Sequence, residues 1–236
     1  MARGYRKNER YESKYHEEDS SHFWMSYSDL MSALLLMFAL LLMVTIFDSK
    51  SAAEEKDKMI ENVIGVKMKI IKELEKEFSD SNLAMEVDPQ TGAIRFSGGV
   101  FFQTNSAKVS EEGKKNLQEF IPKYINILLS DQFKDEVSQI IVEGHTDDQG
   151  TYLYNLDLSQ ARATSVVKEI YGKGFTNFAH KEELKKVITS NGRSFSVPIF
   201  ENGKINKEKS RRVEFQFRLK DEEVIKEIQK LVNKNE

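Results

Sequence analysis

The sequence predicts one membrane-spanning helix followed by a single soluble α/β domain, an α+β sandwich with the element order βαβαββ. One apolar run of membrane length lies near the N-terminus, within residues 23–47. Helical and strand-like patterns alternate after it, which is the order of an α/β sandwich. The 236-residue chain leaves room for one soluble domain of ordinary size, which we assign to residues 83–236.

The apolar run predicts a transmembrane helix over residues 23–47. From Leu30 to Phe47 it holds 18 residues without a charge, and about 20 predominantly apolar residues span a bilayer. A cleaved signal peptide is the alternative, but the 22 residues before the run carry five acids, whereas signal peptides have a short, positive lead. Residues 1–22 are polar and lack periodicity, which predicts a cytoplasmic tail that is flexible when free.

One carboxylate, Asp29, stands at the head of the apolar run. A charge inside a membrane helix costs about 2.5–3.5 kcal/mol on insertion scales, so an ionisable side chain there is a candidate functional group. Apolar surroundings favour the neutral form of a carboxylate, which lets it take up and release a proton near neutral pH. The alternative is that Asp29 reaches the membrane interface or complements the positive end of the helix dipole.

An amphipathic pattern continues after the apolar run and predicts a linker helix over residues 48–82. Its apolar residues recur at steps of three and four: Ile60, Val63, Ile64, Ile70, Ile71, Leu74 and Phe78. This stripe either pairs with the same helix of a second copy or packs on the chain's own domain. The periodicity alone does not choose between these two arrangements.

Patterns in residues 83–236 predict the elements of the soluble domain. Ser110 is the expected N-cap of its first long helix, although Pro122 lies inside that helical pattern. The last strand alternates apolar and polar residues, as a half-buried strand does. The predicted elements are two short strands within 84–96, helix 110–129, strand 137–142, helix 158–171, a short helix at 181–186, strand 187–190, strand 213–219 and a closing helix over 221–232.

Composition argues against several classes of function. A net charge of −3 gives no basic field for nucleic acid. The chain has no cysteine, which excludes disulfides and thiolate metal sites. Its four histidines lack the H-x-x-x-H or H-E-x-x-H spacing, so we expect neither a metal site nor a cofactor. His145 lies beside acids, but no nucleophile pattern such as G-x-S-x-G accompanies it, so we expect a turn histidine and no enzyme.

The membrane segment from Trp24 to Ser32 (WMSYSDLMS) resembles the start of the stator helix of MotB-type proteins, which are subunits of ion-driven motors. The shared pattern is an aromatic residue, Tyr27, a small residue, Asp29, two apolar residues and the hydroxyl residue Ser32. The resemblance implies that Asp29 carries an ion, supported by Tyr27 and Ser32. It also implies a MotA-like multi-span partner subunit and a second copy of this chain, because a buried charge needs partner helices.

Other segments resemble the peptidoglycan-binding signature of OmpA-like domains. They are residues 142–150 (VEGHTDDQG), 154–163 (YNLDLSQARA), 102–107 (FQTNSA) and 211–214 (RRVE). The match covers about residues 90–220 and is specific, because several fixed spacings agree at once. It implies an OmpA-like domain in the periplasm, which places the helix in the bacterial inner membrane and the N-terminal tail in the cytoplasm.

The resemblance implies that Asp147 and Arg162 grip the diaminopimelate of the peptidoglycan stem peptide. This group is a zwitterion, so Asp147 takes its ammonium and the Arg162 fork takes its carboxylate. At most one of the two adjacent arginines faces the ligand, because neighbours on a strand point to opposite faces. The neighbouring contacts that the resemblance implies are Tyr154, Asn155, Leu158 and Arg212. The alternative is a structural salt bridge between Asp147 and Arg162.

Among stator-like proteins, residues 23–31 and the compact loop after Asp147 resemble the subunits of the Zorya anti-phage defence system more than flagellar stators. The resemblance implies a proton-driven stator subunit that is anchored to peptidoglycan, surrounded by membrane lipid, and used in anti-phage defence. Two alternatives stay open. One is a flagellar-type stator for motility, and the other is a passive cell-wall tether in which Asp29 is incidental.

Overall fold

A computed structural model describes residues 5–220 of the chain, with side chains from residue 24 onward. The chain divides into two compact units, Met1–Met59 and Ile60–Glu236. The helices and strands are α1 (Tyr5–Phe78), β1 (Met85–Val87), β2 (Ile94–Ser97), α2 (Gly98–Phe101), α3 (Glu111–Leu128), β3 (Val137–Gly144), α4 (Tyr152–Ile170), α5 (Lys181–Val187), β4 (Ile188–Gly192), β5 (Phe200–Glu201), β6 (Lys204–Ile205), α6 (Lys207–Ser210) and β7 (Arg212–Leu219). The predicted closing helix over 221–232 lies outside the described residues.

Helix α1 is the element that carries the apolar run. It begins at Tyr5, inside the segment for which the sequence predicts a flexible tail, and it continues without a break to Phe78. Its side chains from Trp24 to Lys50 are all exposed. Within the described part of the chain, this is the one helix long and apolar enough to cross a membrane.

The last part of α1 packs on the soluble domain. Five residues of its apolar stripe are buried in the domain core: Val63, Ile70, Ile71, Leu74 and Phe78. The ring centroid of Phe78 lies 5.3 Å from that of Phe120 on α3. Ile64, which belongs to the same predicted stripe, stays 57% exposed. Of the two arrangements that the periodicity leaves open, the structure therefore has the stripe on the chain's own domain.

A five-stranded sheet forms the centre of the domain, in the order β1-β2-β7-β3-β4. Neighbouring strands are antiparallel except β3 and β4, which are parallel and joined through α4 and α5. Aromatic rings cover one face, where Phe96 of β2 and Phe215 of β7 meet Phe120 of α3 at centroid distances of 5.0 and 4.8 Å. The predicted class, an α+β sandwich behind an apolar N-terminal helix, is confirmed.

Helix α3 follows its sequence signals closely. The Ser110 hydroxyl accepts a hydrogen bond from the Gly113 N–H at 2.9 Å, so Ser110 is the N-cap that the sequence predicts. Pro122 lies inside the helix without ending it. The helix is amphipathic, because Leu117, Ile121 and Leu128 are fully buried or nearly so.

Helix α4 begins six residues before the predicted start at Leu158, which corrects the sequence prediction. Its N-cap is Thr151, whose hydroxyl accepts a hydrogen bond from the Tyr154 N–H at 3.3 Å. The first turn carries Tyr152, Leu153 and Tyr154, which are all exposed. It therefore has no apolar stripe from which periodicity could predict it. The short helices α2 and α6 and the hairpin β5–β6 are also absent from the prediction.

Two glycines let α4 lie close against the sheet. Gly144 and Gly192 are register partners on the parallel strands β3 and β4. A Cβ atom on Gly144 would collide with the carbonyl oxygen of Ser159, and one on Gly192 would lie 2.5 Å from the backbone nitrogen of Gln160. Because both positions lack a side chain, the middle of α4 reaches β3 and β4, and its first half is held beside the loop that follows β3.

We expect Gly144→Ala to lower the free energy of unfolding by about 1–3 kcal/mol, because the added methyl must push α4 away from the sheet. Gly174→Ala is the matched control, since a Cβ atom there would meet nothing within 4 Å. Denaturant titration of the purified chain, followed by circular dichroism, measures both. Equal stability of the two variants would contradict close packing at Gly144.

Candidate functional site

A polar cleft of about 360 Å³ opens where β3 ends. Four parts of the chain form it: the loop after β3, the first part of α4, α2 with the residues on either side of it, and the α6–β7 junction. Most of the residues that the sequence singles out meet here. The cleft is lined by Asp147, Tyr154, Asn155, Leu158 and Arg162, together with Arg211. The close approach of α4 to the sheet brings these residues together from distant parts of the chain.

Asp147 supplies a buried negative charge to the cleft. The residue is 7% exposed, and its Oδ2 atom accepts a hydrogen bond from Nη1 of Arg211 at 2.5 Å. Its Oδ1 atom accepts a hydrogen bond from the Gln149 N–H at 3.2 Å, which fixes the turn of the loop. The carboxylate therefore stands at the base of the cleft with one cationic partner. The structure does not form the salt bridge between Asp147 and Arg162 that the sequence leaves open, since Arg211 takes that place.

Arg162 supplies a buried positive charge. The residue is 7% exposed, its Nε atom donates to the Ser106 carbonyl oxygen at 2.9 Å, and its guanidinium lies 5.3 Å from the Phe102 ring centroid. Burial lowers the pKa of Arg162, and the positive charge of Arg211 acts in the same direction. Among the described residues, the hydrogen bonds of its side chain go through Nε alone. The two terminal nitrogens are thus available to a carboxylate in the cleft.

Residues at the start of α4 shape the rest of the cleft. The Asn155 side chain is buried and donates from Nδ2 to the Gln149 carbonyl oxygen at 2.7 Å, so it holds the loop that carries Asp147. Tyr154 is 51% exposed and presents its ring at the cleft. Leu158 is half-buried and lines the wall. Asn155 is therefore a positioning residue, whereas Tyr154 and Leu158 offer contact surface.

Arg212 does not line this cleft, although the resemblance implies that it contacts the ligand. Its Nε atom donates to Oε1 of Glu214 at 2.6 Å, and its Nη1 atom donates to the Val197 carbonyl oxygen at 3.1 Å. Adjacent residues on an extended chain point to opposite sides, and here Arg211 points to Asp147. The pair is recognisable in the sequence, but which arginine faces the cleft depends on how β7 pairs with its neighbours.

The buried ion pair of Arg212 belongs to the interior of the domain. Arg212 and Glu214 are 5% and 4% exposed, and Glu214 also accepts a hydrogen bond from Nε of Arg95 at 2.9 Å. Burial alone would raise the pKa of Glu214, but the charge of Arg212 and its hydrogen bond lower the pKa below its ordinary value. The carboxylate therefore stays ionised, and Arg212 compensates its charge.

The membrane segment carries its candidate residues on α1. Asp29 and Ser32 lie three residues apart, so they share one face of the helix, whereas Tyr27 points to a different side from Asp29. The Ser32 hydroxyl donates to the Ser28 carbonyl oxygen at 2.7 Å. Tyr27 forms an edge-to-face contact with Trp24 at a centroid distance of 6.4 Å. Ser32 is thus the neighbour that shares a face with Asp29.

Chemically, the cleft suits a ligand that carries both signs of charge. Two carboxylates, Asp147 and Glu208, and two guanidinium groups, Arg162 and Arg211, line its walls. An ammonium can pair with Asp147, and a carboxylate can take a bidentate hydrogen bond from Arg162. The ring of Tyr154 and the side chain of Leu158 offer apolar contact next to these charged groups.

Comparison with known proteins agrees with this architecture. Residues 101–212 match the OmpA family, so the domain is of the OmpA-like class. The chain is 32% identical over 214 residues to the Zorya protein ZorB of Escherichia coli O139:H28 (strain E24377A), covering 87% of this chain and 85% of the relative. A second ZorB, from Escherichia coli strain ATCC 8739, is 30% identical over 215 residues, with 84% and 88% covered. The chain belongs to the ZorB family of Zorya proteins.

A solved structure gives a more distant likeness. A putative MotB-like protein from Desulfovibrio vulgaris is 18% identical, and the superposition covers 70% of this chain and 99% of that chain with a TM-score of 0.46.

Replacing the buried Arg212 and replacing the exposed Arg211 should lower the free energy of unfolding by different amounts. Arg212→Ala leaves Glu214 charged and buried without its main partner, so we expect a loss of about 3–5 kcal/mol in the free energy of unfolding. Arg211→Ala removes a side chain that is 46% exposed, so we expect a loss of about 1 kcal/mol or less. Denaturant titration of both variants measures the difference. The assignment of Arg212 to the interior is wrong if the two losses are equal.

Proposed function

We propose that the chain is an inner-membrane stator subunit of a proton-driven motor complex, anchored to peptidoglycan and used in Zorya-type anti-phage defence. One observation carries the proposal: a single chain joins a membrane-length helix headed by Asp29 to a domain whose cleft holds Asp147, Arg162 and Arg211. Membership in the ZorB family supports the defence setting. The proposed role is mechanical anchoring and ion passage, without enzymatic chemistry.

The cleft chemistry supports peptidoglycan as the ligand of the domain. The diaminopimelate side chain of a stem peptide ends in an ammonium and a carboxylate on one carbon. Asp147 receives the ammonium, and the terminal nitrogens of Arg162 receive the carboxylate. Arg211 holds Asp147 at 2.5 Å before the ligand arrives, so it gives up or shares that contact on binding. Its side chain is 46% exposed and has room to move.

The position of Asp29 on α1 supports an ion-carrying role for its carboxylate. It stands at the head of a run of exposed apolar side chains on α1, which require cover by lipid or by other helices. A proton that crosses the full membrane potential yields about 2.3 kcal/mol per 100 mV. Protonation of Asp29 changes the charge on α1, and this change can drive a step of the subunit around it. Ser32 lies on the same face and adds a polar group to that path.

Peptidoglycan binding sets the orientation of the chain in the membrane, and the ion path requires partner subunits. Peptidoglycan lies in the periplasm, so the domain of residues 83–236 lies there, and residues 1–22 lie in the cytoplasm. The helix of residues 23–47 spans the inner membrane once, and residues 48–82 link it to the domain. One helix cannot enclose an ion path, so the complex includes a MotA-like multi-span subunit of the ZorA type and a second copy of this chain.

The peptidoglycan site is tested with Arg162→Lys. The ammonium of lysine cannot form a bidentate pair with a carboxylate, so we expect binding to purified cell-wall sacculi to weaken by about tenfold or more. Asp147→Asn removes the charge that attracts the ammonium, and we expect a similar loss. Arg193→Lys is the matched control, because Arg193 is a partly exposed arginine that does not line this cleft.

Co-sedimentation of the purified chain with sacculi measures these affinities. If Arg162→Lys and Asp147→Asn sediment as well as the wild type, the domain does not bind peptidoglycan through this cleft.

The ion-carrying role is tested with Asp29→Asn. The amide keeps the shape of the side chain and cannot be ionised, so we expect intact assembly with the partner subunit and loss of phage protection. Asp48→Asn is the matched control, because Asp48 lies at the opposite end of the apolar run and is exposed. Copurification with the partner and plaque counts on cells that express the complex measure assembly and protection.

Two results separate the rival functions from the proposed one, the second of them in a motility assay. Full protection by Asp29→Asn would favour a passive tether over a motor. Rescue of swimming in a stator-deficient strain, without phage protection, would favour a flagellar-type stator.

A further inference from the structure

A second polar cluster lies inside the domain, away from the cleft that holds Asp147. It is formed by Glu143 of β3, His145 just after β3, and Glu214 of β7. All three residues are buried, and their ligand-type atoms lie within 4.8 Å of one another. The Nε2 atom of His145 is 3.5 Å from Oε2 of Glu143 and 3.9 Å from Oε2 of Glu214.

His145 is the unusual member of this cluster. It is 2% exposed, and neither of its ring nitrogens has a hydrogen-bond partner among the described residues. A buried polar atom without a partner costs about 1–3 kcal/mol, so such an atom calls for an explanation. The separations of Nε2 from the two carboxylates are too long for good hydrogen bonds. The imidazole Nε2 atom therefore lies between two carboxylate oxygens, at separations longer than those of a good hydrogen bond.

These separations fit a shared metal ion. Zinc binds histidine nitrogen and carboxylate oxygen at about 2.0–2.2 Å, so the ligand atoms of a tetrahedral site lie about 3.3–3.6 Å apart. The 3.5 and 3.9 Å separations around Nε2 are close to this value. A small movement of the two carboxylates toward Nε2 of His145 would bring all three ligand atoms within reach of one metal ion. The side-chain amide of Gln216 already lies between the two carboxylates, donating from Nε2 to Oε2 of Glu214 at 2.7 Å and to Oε2 of Glu143 at 3.2 Å.

The arginines around the cluster leave this inner space open. Arg95 and Arg212 both donate to Oε1 of Glu214, on the side of that carboxylate away from His145. Arg95 also pairs with Asp88 at 2.5 Å, which offsets part of its charge. A third arginine, Arg193, approaches the other carboxylate, with its Nε atom 3.9 Å from Oε2 of Glu143. Its side chain is 47% exposed and can turn toward solvent.

We propose that Glu143, His145 and Glu214 form a binding site for a divalent metal ion of the zinc class. Each residue supplies one ligand atom, and water or the Gln216 amide oxygen, after rotation of the amide, completes the coordination. The ion links β3 to β7 at the point where the loop to Asp147 begins. Sequence spacing did not suggest the site, because Glu214 comes from a distant strand that only the fold brings to His145.

The test is titration of the full-length chain in detergent micelles with Co²⁺, followed by Zn²⁺. His16→Ala and His22→Ala are present in every sample, so that His145 and His180 are the remaining histidines. We expect one Co²⁺ per chain with a visible absorption band of a tetrahedral site, and displacement of Co²⁺ by Zn²⁺. Glu143→Gln and Glu214→Gln should each weaken binding by at least about tenfold.

The matched control is His180→Ala. His180 pairs with Glu183 at 2.6 Å in an exposed histidine–carboxylate pair, so it reports binding by a surface site. We expect His180→Ala to leave Co²⁺ binding unchanged. No stoichiometric uptake, uptake that survives Glu143→Gln, or uptake that His180→Ala abolishes would each overturn the proposal.

A second measurement covers the case in which the glutamine variants do not fold. In the His16→Ala, His22→Ala background without further substitutions and with ¹⁵N-labelled histidine, Zn²⁺ should shift the ring-nitrogen resonances of His145 and leave those of His180 in place. Unshifted His145 resonances at saturating Zn²⁺ would overturn the proposal in the same way.

Discussion

The close packing of α4 against β3 and β4 is the constraint on which the candidate site depends. It requires Gly144 and Gly192, since a side chain at either position would meet the backbone of α4. The contact sets the start of α4 beside the loop after β3. Arg162 and Asp147 come from different elements and face the same 360 Å³ cleft for this reason. A change of an ångström in this packing would alter the spacing between the two opposite charges.

Two adjacent arginines, Arg211 and Arg212, pair with different carboxylates. Arg212 turns inward and compensates Glu214, which keeps the centre of the sheet electrically balanced. Arg211 turns outward and holds Asp147. The cleft thus contains two carboxylates and two guanidinium groups before any ligand binds. This arrangement suits a ligand that brings a carboxylate together with an ammonium.

Sequence reasoning reached the fold class, the apolar helix and most of the cleft, because these depend on local patterns. The N-cap at Ser110 is a local signal, and the structure confirms it. Strand β7 forms where the alternation predicts a strand, but it is not half-buried, because Glu214 on its polar side is 4% exposed. The early start of α4 was missed, since its first turn is exposed and depends on the cap at Thr151. The choice between Arg211 and Arg212 was also beyond the sequence, because strand pairing decides which one faces the cleft. The cluster around His145 likewise joins residues from β3 and β7, which no spacing rule connects.

The central claim is that the α4–sheet packing builds a cleft for a zwitterionic side chain of the cell wall. The most direct measurement is NMR titration of the chain with two stem peptides that differ at one position, diaminopimelate in one and lysine in the other. Lysine keeps the ammonium and lacks the second carboxylate, so only the ammonium contact to Asp147 remains. We expect the diaminopimelate peptide to shift resonances of Asp147, Arg162 and Arg211 and to bind at least about tenfold more tightly. Equal affinity for the two peptides, or shifts elsewhere on the domain, would contradict the claim.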